Sequence, residues 1–213
     1  MIEEKYNGDK RMQIFIVRHG ETPWNKEGKL QGATDIQLND SGREVAIKTG
    51  LALKDVQIDK IYSSPLKRAY ETACLIRGDR DIEIICDDRL REVCFGRLEG
   101  QNISVMKSDP DSHFQHFFDE PHLYVPDEEG EKLEDLCKRT ESFMKEVILP
   151  QAENLSRVMI VGHGAMNKSI MCFIKQHGID KFWSGGLQKN CNVIMVDYID
   201  GKFKVLEEEK VYY

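Results

Sequence analysis

The sequence of 213 residues has no long uncharged apolar run. No such run approaches the roughly 18 residues that a membrane-spanning helix needs, so a membrane partner is not expected. The chain also lacks a tract rich in lysine or arginine, and its formal net charge is −7. Because binding to a nucleic-acid backbone requires a basic surface, nucleic acid is not expected as a partner either. A small anionic ligand is compatible with this balance if a local pocket is positive.

Paired cysteines are missing as well. Six cysteines are scattered singly, and none forms a C-x-x-C pair. Isolated cysteines, several of them within apolar runs, indicate buried free thiols in a reducing compartment rather than disulfides or a zinc site. The opening stretch, MIEEKYNGDKRMQ, has neither the apolar core nor the cleavage site of a secretory signal. These features predict a cytoplasmic protein.

Short apolar strands alternate with helical patterns along the chain. Strands are predicted at 14–17, 59–64, 82–86, 157–161, 192–199 and 203–207. Helices are predicted at about 41–54, 65–77, 130–150 and 165–177. This alternation predicts an α/β fold, a three-layer sandwich whose mostly parallel central sheet is flanked by helices. The last two strands are expected to form a hairpin around Asp200 and Gly201.

The length suits a single domain spanning residues 1–213. Residues 94–129 fit the alternation poorly, and we interpret them as a small cap inserted beside the sheet. The phenylalanines of this cap either hold it against the sheet or line a pocket for an apolar leaving group. Its three histidines, His113, His116 and His122, are interpreted as surface residues rather than as zinc ligands.

Two strands end in the same way. IFIVRHG occupies residues 14–20, and VMIVGHG occupies residues 158–164. In a doubly wound sheet, ligands bind outside the carboxyl ends of the strands, so we expect both endings at one rim. The glycine after each histidine is expected to allow a sharp turn and a close approach to an anion. Side chains from four segments should therefore meet at this rim: Arg18, His19, Arg68, Glu92 and His163.

This combination of side chains indicates phosphoryl transfer. Arginine binds phosphate oxygens with a rigid fork of donors. An imidazole can act as a nucleophile and hold a phosphoryl group covalently. A glutamic acid can protonate the departing oxygen and then activate water. The predicted chemistry needs no metal and no cofactor.

Five motifs along the chain resemble those of the histidine phosphatase superfamily, also called phosphoglycerate mutase-like. They are VRHGETPWN, LQGATDIQL, SSPLKRAYETA, LREVCFGRLEG and VGHGAMNKSI. The resemblance implies that His19 is the nucleophile that becomes phosphohistidine and that Glu92 is the proton donor and then the base. It further implies a set of residues that surround or contact the phosphoryl group: Arg18, Thr22, Asn25, Gln31, Arg68 and His163. Glu99 ranks behind Glu92 as the acid and is interpreted as a local hydrogen-bond acceptor.

Departures from the mutase pattern favour the broad-specificity phosphatase branch. Glu92 is followed by Val-Cys-Phe-Gly, where mutases typically have Arg-His-Tyr-Gly, and the cap has no basic cluster for a second phosphate. We therefore predict a phosphoric monoester hydrolase acting on small-molecule phosphate esters. A cofactor-dependent phosphoglycerate mutase and a catalytically silent phosphate-ester binding module are the alternatives. A homodimer through the edge of the last hairpin is left open.

Overall fold

The computed structural model describes residues 11–109 and 112–213. The polar start, residues 1–10, and residues 110–111 of the predicted cap lie outside the described residues. The strands are β1 (Arg11–Arg18), β2 (Lys60–Ser63), β3 (Ile84–Cys86), β4 (Arg157–Gly162), β5 (Val193–Ile199) and β6 (Lys202–Lys210). The helices are α1 (Pro23–Lys26), α2 (Asp40–Ala52), α3 (Lys67–Arg77), α4 (Ile103–Ser108), α5 (Gln115–Asp119), α6 (Leu133–Phe143) and α7 (Gly164–Lys175).

The six strands form one sheet in the order β3-β2-β4-β1-β5-β6. β1, β2, β3 and β4 run parallel, whereas β5 is antiparallel to both of its neighbours. The predicted hairpin is present, with Asp200 and Gly201 at φ values of 49° and 80°, as a tight hairpin turn requires. The prediction of a mostly parallel sheet with antiparallel strands at one side is confirmed.

The alternation of side chains along β1 explains the three layers. Ile14 and Ile16 belong to one hydrophobic core, with Leu136 of α6 and Ile170 of α7. The intervening residues of β1 belong to a second core, together with α3. Because successive side chains of a strand point to opposite faces, one buried apolar run supplies both cores. β1 is therefore fixed from both sides at its carboxyl end.

Two local predictions differ from the structure, and one short helix was not predicted. α3 begins at Lys67 with Leu66 as its N-cap, not at Pro65, because the Ser64 hydroxyl accepts a bond from Leu66 N–H and also bonds His163. The long amphipathic helix begins at Leu133 and continues as a π-helical stretch at Met144–Ile148. α1 was not predicted.

The segment predicted as a cap contains α4 and α5. Phe95 and Gly130 form an isolated antiparallel bridge near its two ends. The division of the chain into one domain and a cap stays a prediction. All six cysteines are free thiols. The expectation of burial is confirmed for Cys172 and Cys191, whereas Cys86 is exposed and the other three are partly buried. Among the helices of the described residues, none is both long and apolar enough to cross a membrane.

Candidate active site

The two His-Gly endings lie side by side because β1 and β4 are parallel neighbours. Their register pairs Arg18 with Gly162, and the His19 N–H donates to Gly162 O at 2.9 Å. The ring centroids of His19 and His163 are 5.2 Å apart. The expectation that two distant stretches of sequence carry their imidazoles to one place is confirmed by this geometry.

A cleft enclosing about 510 Å³ of free space, part of it open to solvent, lies at this rim. Six of the predicted site residues line it: Arg18, His19, Asn25, Gln31, Arg68 and Glu92. His163 is fully buried beside His19. Thr22 is also fully buried, and its hydroxyl bonds the side-chain oxygens of Asn25 and Gln31. Thr22 therefore lies behind the other two, where it also caps α1.

The ring of His19 is oriented by its own main chain. Nδ1 lies 2.7 Å from Gly20 O, and a carbonyl can only accept, so Nδ1 carries the proton and Nε2 keeps its lone pair. Burial lowers the pKa of His19 well below 6.5, and the charges of Arg68 and Arg18 lower it further. His19 is therefore neutral at pH 7, as a nucleophile must be.

We expect the neutral state of His19 to persist well below pH 6.5. NMR titration of its imidazole should show no protonation where a free histidine titrates, and a midpoint at or above 6.5 would contradict this.

The same pKa shift of His19 affects stability. Because the pKa of His19 is lower in the folded protein than in the unfolded chain, the folded protein binds a proton at this site less readily. The free energy of unfolding should therefore be insensitive to this group above pH 6.5 and fall as the pH decreases below it.

Gly20 allows the loop after β1 to lie against the backbone of α2. A Cβ at this position would be 2.7 Å from Gly42 O. The Gly20 N–H donates to Thr72 Oγ1 at 2.9 Å, which ties the same loop to α3. The close approach that the structure describes at this glycine is therefore to a neighbouring helix.

Three of the buried nitrogen atoms that have no hydrogen-bond partner within residues 11–109 and 112–213 belong to predicted site residues. They are Arg18 Nε, Arg68 Nε and His163 Nδ1. A buried donor without a partner is costly, and an anion beside His19 would satisfy such groups. The three atoms therefore suit the binding of an anion at this place.

The Ser64 hydroxyl is the hydrogen-bond partner of the His163 ring. It accepts from Leu66 N–H and lies 2.8 Å from His163 Nε2, so its own hydrogen is free to go to that nitrogen. Burial and the charge of Arg68 lower the pKa of His163 well below 6.5. When the Ser64 hydroxyl donates to Nε2, the neutral ring carries its own hydrogen on Nδ1, the unpartnered atom.

Both arginines are held by main-chain carbonyls. Arg18 Nη1 donates to Gln188 O at 2.5 Å. Arg68 donates to Gly32 O at 2.6 Å and to Thr34 O at 2.8 Å. Burial lowers the pKa of Arg68 to about 10, and the carboxylate of Glu92 opposes this shift. The guanidinium therefore stays charged at pH 7 and has a fixed direction.

Glu99 organises the loop that holds Arg68. Its carboxylate accepts from the N–H groups of Ala33 and Thr34 at 2.9 and 2.8 Å and from the Thr34 hydroxyl. Gly32 is in the left-handed region at φ +53, and a Cβ there would lie 2.2 Å from Glu99 Oε1. The interpretation of Glu99 as a local hydrogen-bond acceptor is confirmed, and its contacts bear indirectly on Arg68.

Glu92 reaches the cleft from a segment outside the sheet. Its carboxylate accepts from Ala165 N–H at 3.1 Å and Met166 N–H at 2.9 Å, the first N–H groups of α7. It also accepts from Val93 N–H at 3.0 Å. Free N–H groups and the helix dipole favour a carboxylate at a helix N-terminus. This position places Glu92 between α7 and the cleft.

Apolar side chains also line the cleft. They are Leu30, Phe95, Ile103, Phe117, Phe118, Trp183 and Leu187, with Lys29 beside them. Phe114 and Tyr124 are buried against Phe117 instead. The cap aromatics thus divide into two groups, one that holds the cap together and one that faces the cleft.

Several polar residues that serve this site were not predicted. They are Ser64, Thr72, Arg139, Gln188 and Asn190, of which Asn190 Nδ2 donates to His19 O. Ser64 lies within the quoted motif SSPLKR, so its neighbourhood gave a signal. Arg139 and Gln188 are distant in sequence from the residues they contact, and no local pattern distinguishes them.

Comparison with known proteins agrees with this geometry. The family model described as "Histidine phosphatase superfamily (branch 1)" matches residues 14–210. Phosphoserine phosphatase 1 of Hydrogenobacter thermophilus is 33% identical over 176 residues, which are 82% of each chain. The probable phosphoglycerate mutase GpmB of Escherichia coli O1:K1 is 32% identical over 190 residues, 88% of this chain and 85% of the relative.

A solved structure is similar along nearly the whole chain. Bacillus stearothermophilus YhfR superposes with a TM-score of 0.86 and 35% identity, and the match covers 94% of this chain and 98% of the other. The strand order, the paired histidines and the matched span of sequence all point to one family. The chain belongs to branch 1 of the histidine phosphatase superfamily.

Proposed function

We propose that this protein hydrolyses small phosphomonoesters through a phosphohistidine at His19, with Glu92 as the proton donor and then the base. The observation that carries the proposal is the convergence in one cleft of a neutral imidazole, unpartnered arginine and histidine donors, and a single glutamate. The relatives described above include a phosphatase. A phosphoric monoester hydrolase is therefore the activity that both lines of support favour.

In the first step, His19 Nε2 attacks the phosphorus atom. The ester P–O bond breaks, and its electron pair goes to the departing oxygen, which takes the proton of Glu92. Arg18, Arg68 and His163 donate hydrogen bonds to the phosphoryl oxygens and stabilise the negative charge on those oxygens in the transition state. The alcohol leaves, and the phosphoryl group remains on His19.

In the second step, the Glu92 carboxylate takes a proton from water. The water oxygen attacks phosphorus, the P–N bond breaks, and its electron pair returns to His19 Nε2. The sum of the two steps is one phosphomonoester and one water converted to one alcohol and inorganic phosphate. Glu92 ends protonated, ready for the next substrate, so no metal or cofactor takes part in the scheme.

The apolar wall supports a substrate class. Phe117, Phe118 and Trp183 line the same cleft as the proposed phosphate donors, so the alcohol part of an ester can contact them. Burial of an aromatic or aliphatic group against such side chains is favourable. We therefore propose substrates whose alcohol part carries an apolar portion. Lys29, which lines the same cleft, could bind a polar or anionic substituent of that alcohol.

A panel of phosphate esters tests this proposal. Phosphate release should continue in EDTA, and kcat/KM should rise from glycerol phosphate to aromatic or longer-chain esters by about tenfold per 1.4 kcal/mol of added apolar burial. Hydrolysis that requires an added metal ion would contradict the scheme. A rate that is indifferent to the size of the alcohol would contradict the substrate class alone.

The mutase alternative predicts a different result in the same panel. With 3-phosphoglycerate and a bisphosphoglycerate primer, isomerisation would outrun hydrolysis. Tight binding without turnover over the whole panel would instead support a silent binding module. In our proposal the protein works in the cytoplasm on a small-molecule phosphate ester, with neither nucleic acid nor a membrane as a partner. β6 forms an edge of the sheet, and a homodimer through it is a further expectation.

A further inference from the structure

We propose that Arg139, held by Glu131, is a positioning residue for Glu92. The inference rests on the proposed role of Glu92 as proton donor. Neither Arg139 nor Glu131 is among the described residues that line the cleft, so neither is expected to touch the substrate. Their hydrogen bonds reach the site through the main chain that carries Glu92.

Arg139 binds the stretch of chain that ends at Glu92. From α6, its Nη1 donates to Arg89 O at 2.6 Å and to Arg91 O at 2.7 Å. Its Nη2 donates to Glu92 O at 3.2 Å. Three carbonyls within four residues are thus held by one planar group, and the planar fork of a guanidinium has the rigidity that this requires. The segment lies outside the sheet, so these bonds take the place of strand pairing.

Glu131 fixes Arg139 and also binds the chain beyond Glu92. Its carboxylate accepts from Arg139 Nε at 2.6 Å and from Nη2 at 2.8 Å. The same carboxylate accepts from Cys94 N–H at 3.3 Å, and Glu131 N–H donates to Cys94 O at 2.8 Å. The ion pair of Arg139 and Glu131 therefore forms hydrogen bonds with the main chain on both sides of Glu92.

The side chain of Glu92 has a separate anchor on α7, and the two anchors are connected. Its carboxylate receives N–H groups at the start of α7, whereas its main chain is held from α6. Thr140, the residue after Arg139, forms a 2.9 Å bond with Ser169 of α7. The two helices that hold Glu92 are thus fixed to each other. Releasing the main-chain anchor should allow Glu92 to shift relative to His19.

The test uses the dependence of the reaction on its leaving group. An alkyl phosphate needs a proton donor, whereas 4-nitrophenyl phosphate, with its acidic phenol, depends on one far less. General acid catalysis contributes about 10²–10⁴-fold. We expect Arg139→Met to lower kcat/KM for an alkyl phosphate by about 10–100-fold, a part of that contribution. The kcat/KM for 4-nitrophenyl phosphate, which reports the steps up to release of the phenol and not the hydrolysis of phosphohistidine, should fall by no more than about threefold, and inhibition by inorganic phosphate should be unchanged.

A double variant distinguishes positioning from general damage. In Glu92→Gln/Arg139→Met, the alkyl rate should fall no further than in Glu92→Gln alone, because both changes remove the same function. Equal losses for alkyl and aryl esters, or additive losses in the double variant, would overturn the proposal. If Glu92→Gln itself shows no leaving-group dependence, the proposed role of Glu92 fails, which is a different result from failure of Arg139 alone.

Further variants separate fold, charge and geometry. Arg139→Lys keeps the positive charge, which also acts on His163, but loses the fork, so it should retain most of the selective defect. Full recovery with lysine would overturn the positioning role. Glu131→Gln weakens the ion pair that holds Arg139 but leaves Arg139 in place, so it should give a smaller loss with the same dependence on the leaving group. This variant keeps the test decisive if Arg139→Met does not fold. Arg91→Met is the matched control: its side chain is on the same segment but pairs with the exposed Asp88, and both ester rates should stay at the wild-type level.

Discussion

His19→Ala should abolish turnover of every phosphomonoester, with kcat reduced by about 10⁴-fold or more, the scale seen when a nucleophile is removed. The His19 imidazole is the only protein group whose lone pair bonds phosphorus in the proposed scheme. The remaining donors of the cleft would still bind the substrate, so KM should change far less than kcat. Phosphate release from an alkyl and an aryl ester, measured at saturating substrate, checks both statements.

The same variant decides whether a covalent intermediate forms. Rapid acid-free quenching of the wild-type protein with an aryl phosphate should give a mass increase of one phosphoryl group, and peptide mapping should assign it to His19. His122→Ala is the matched control, because that histidine is exposed on the segment predicted as a cap, and it should retain wild-type rates. Turnover near the wild-type level in His19→Ala would refute the nucleophilic role.

Glu92→Gln is the second variant for which we expect a large effect, and this effect should depend on the ester. The amide keeps the size of the side chain and one acceptor for the N-terminus of α7, but it cannot give up a proton to an alkoxide. The rate with an alkyl phosphate should fall by about 10²–10⁴-fold. With 4-nitrophenyl phosphate the first step should be nearly unaffected, so any loss reports the need for a base in the second step.

Pre-steady-state kinetics separates the two steps for Glu92→Gln. A burst of 4-nitrophenol followed by slow turnover would indicate that phosphohistidine forms rapidly and that its hydrolysis by water is slow without the Glu92 base. Glu128→Gln is a suitable control, because the Glu128 side chain is 91% exposed. The donor assignment would be wrong if alkyl and aryl esters slowed equally in the first step.

The sequence was sufficient to predict that the candidate catalytic side chains lie close together. It was not sufficient to predict which residues hold them in place. Arg18, His19 and His163 follow apolar strands, and the carboxyl ends of parallel strands meet at one edge of a sheet, so their proximity follows from topology. Arg68 and Glu92 were identified through motifs that follow other strands. The structure brings four of them to the same cleft and buries His163 beside His19, although their individual roles stay predictions.

The residues that hold these side chains in place could not be predicted for a physical reason. Arg139 binds main-chain carbonyl oxygens. Because every residue has one, the sequence does not indicate which residues Arg139 will contact. Glu99 likewise binds N–H groups of a loop far along the chain. The start of α3 was placed too early for a related reason, because Ser64, a good N-cap by type, is engaged by His163 in the folded protein.

Gly20 has a consequence for how an Arg-His-Gly motif is interpreted. The first two residues carry chemistry in our proposal, but the glycine is required by the backbone of α2, 2.7 Å from where a Cβ would lie. A chain could therefore lose its activity and still need that glycine in order to fold in this way. In a related sequence, the third letter of the motif would report a loop-to-helix contact, and only the first two would report a catalyst.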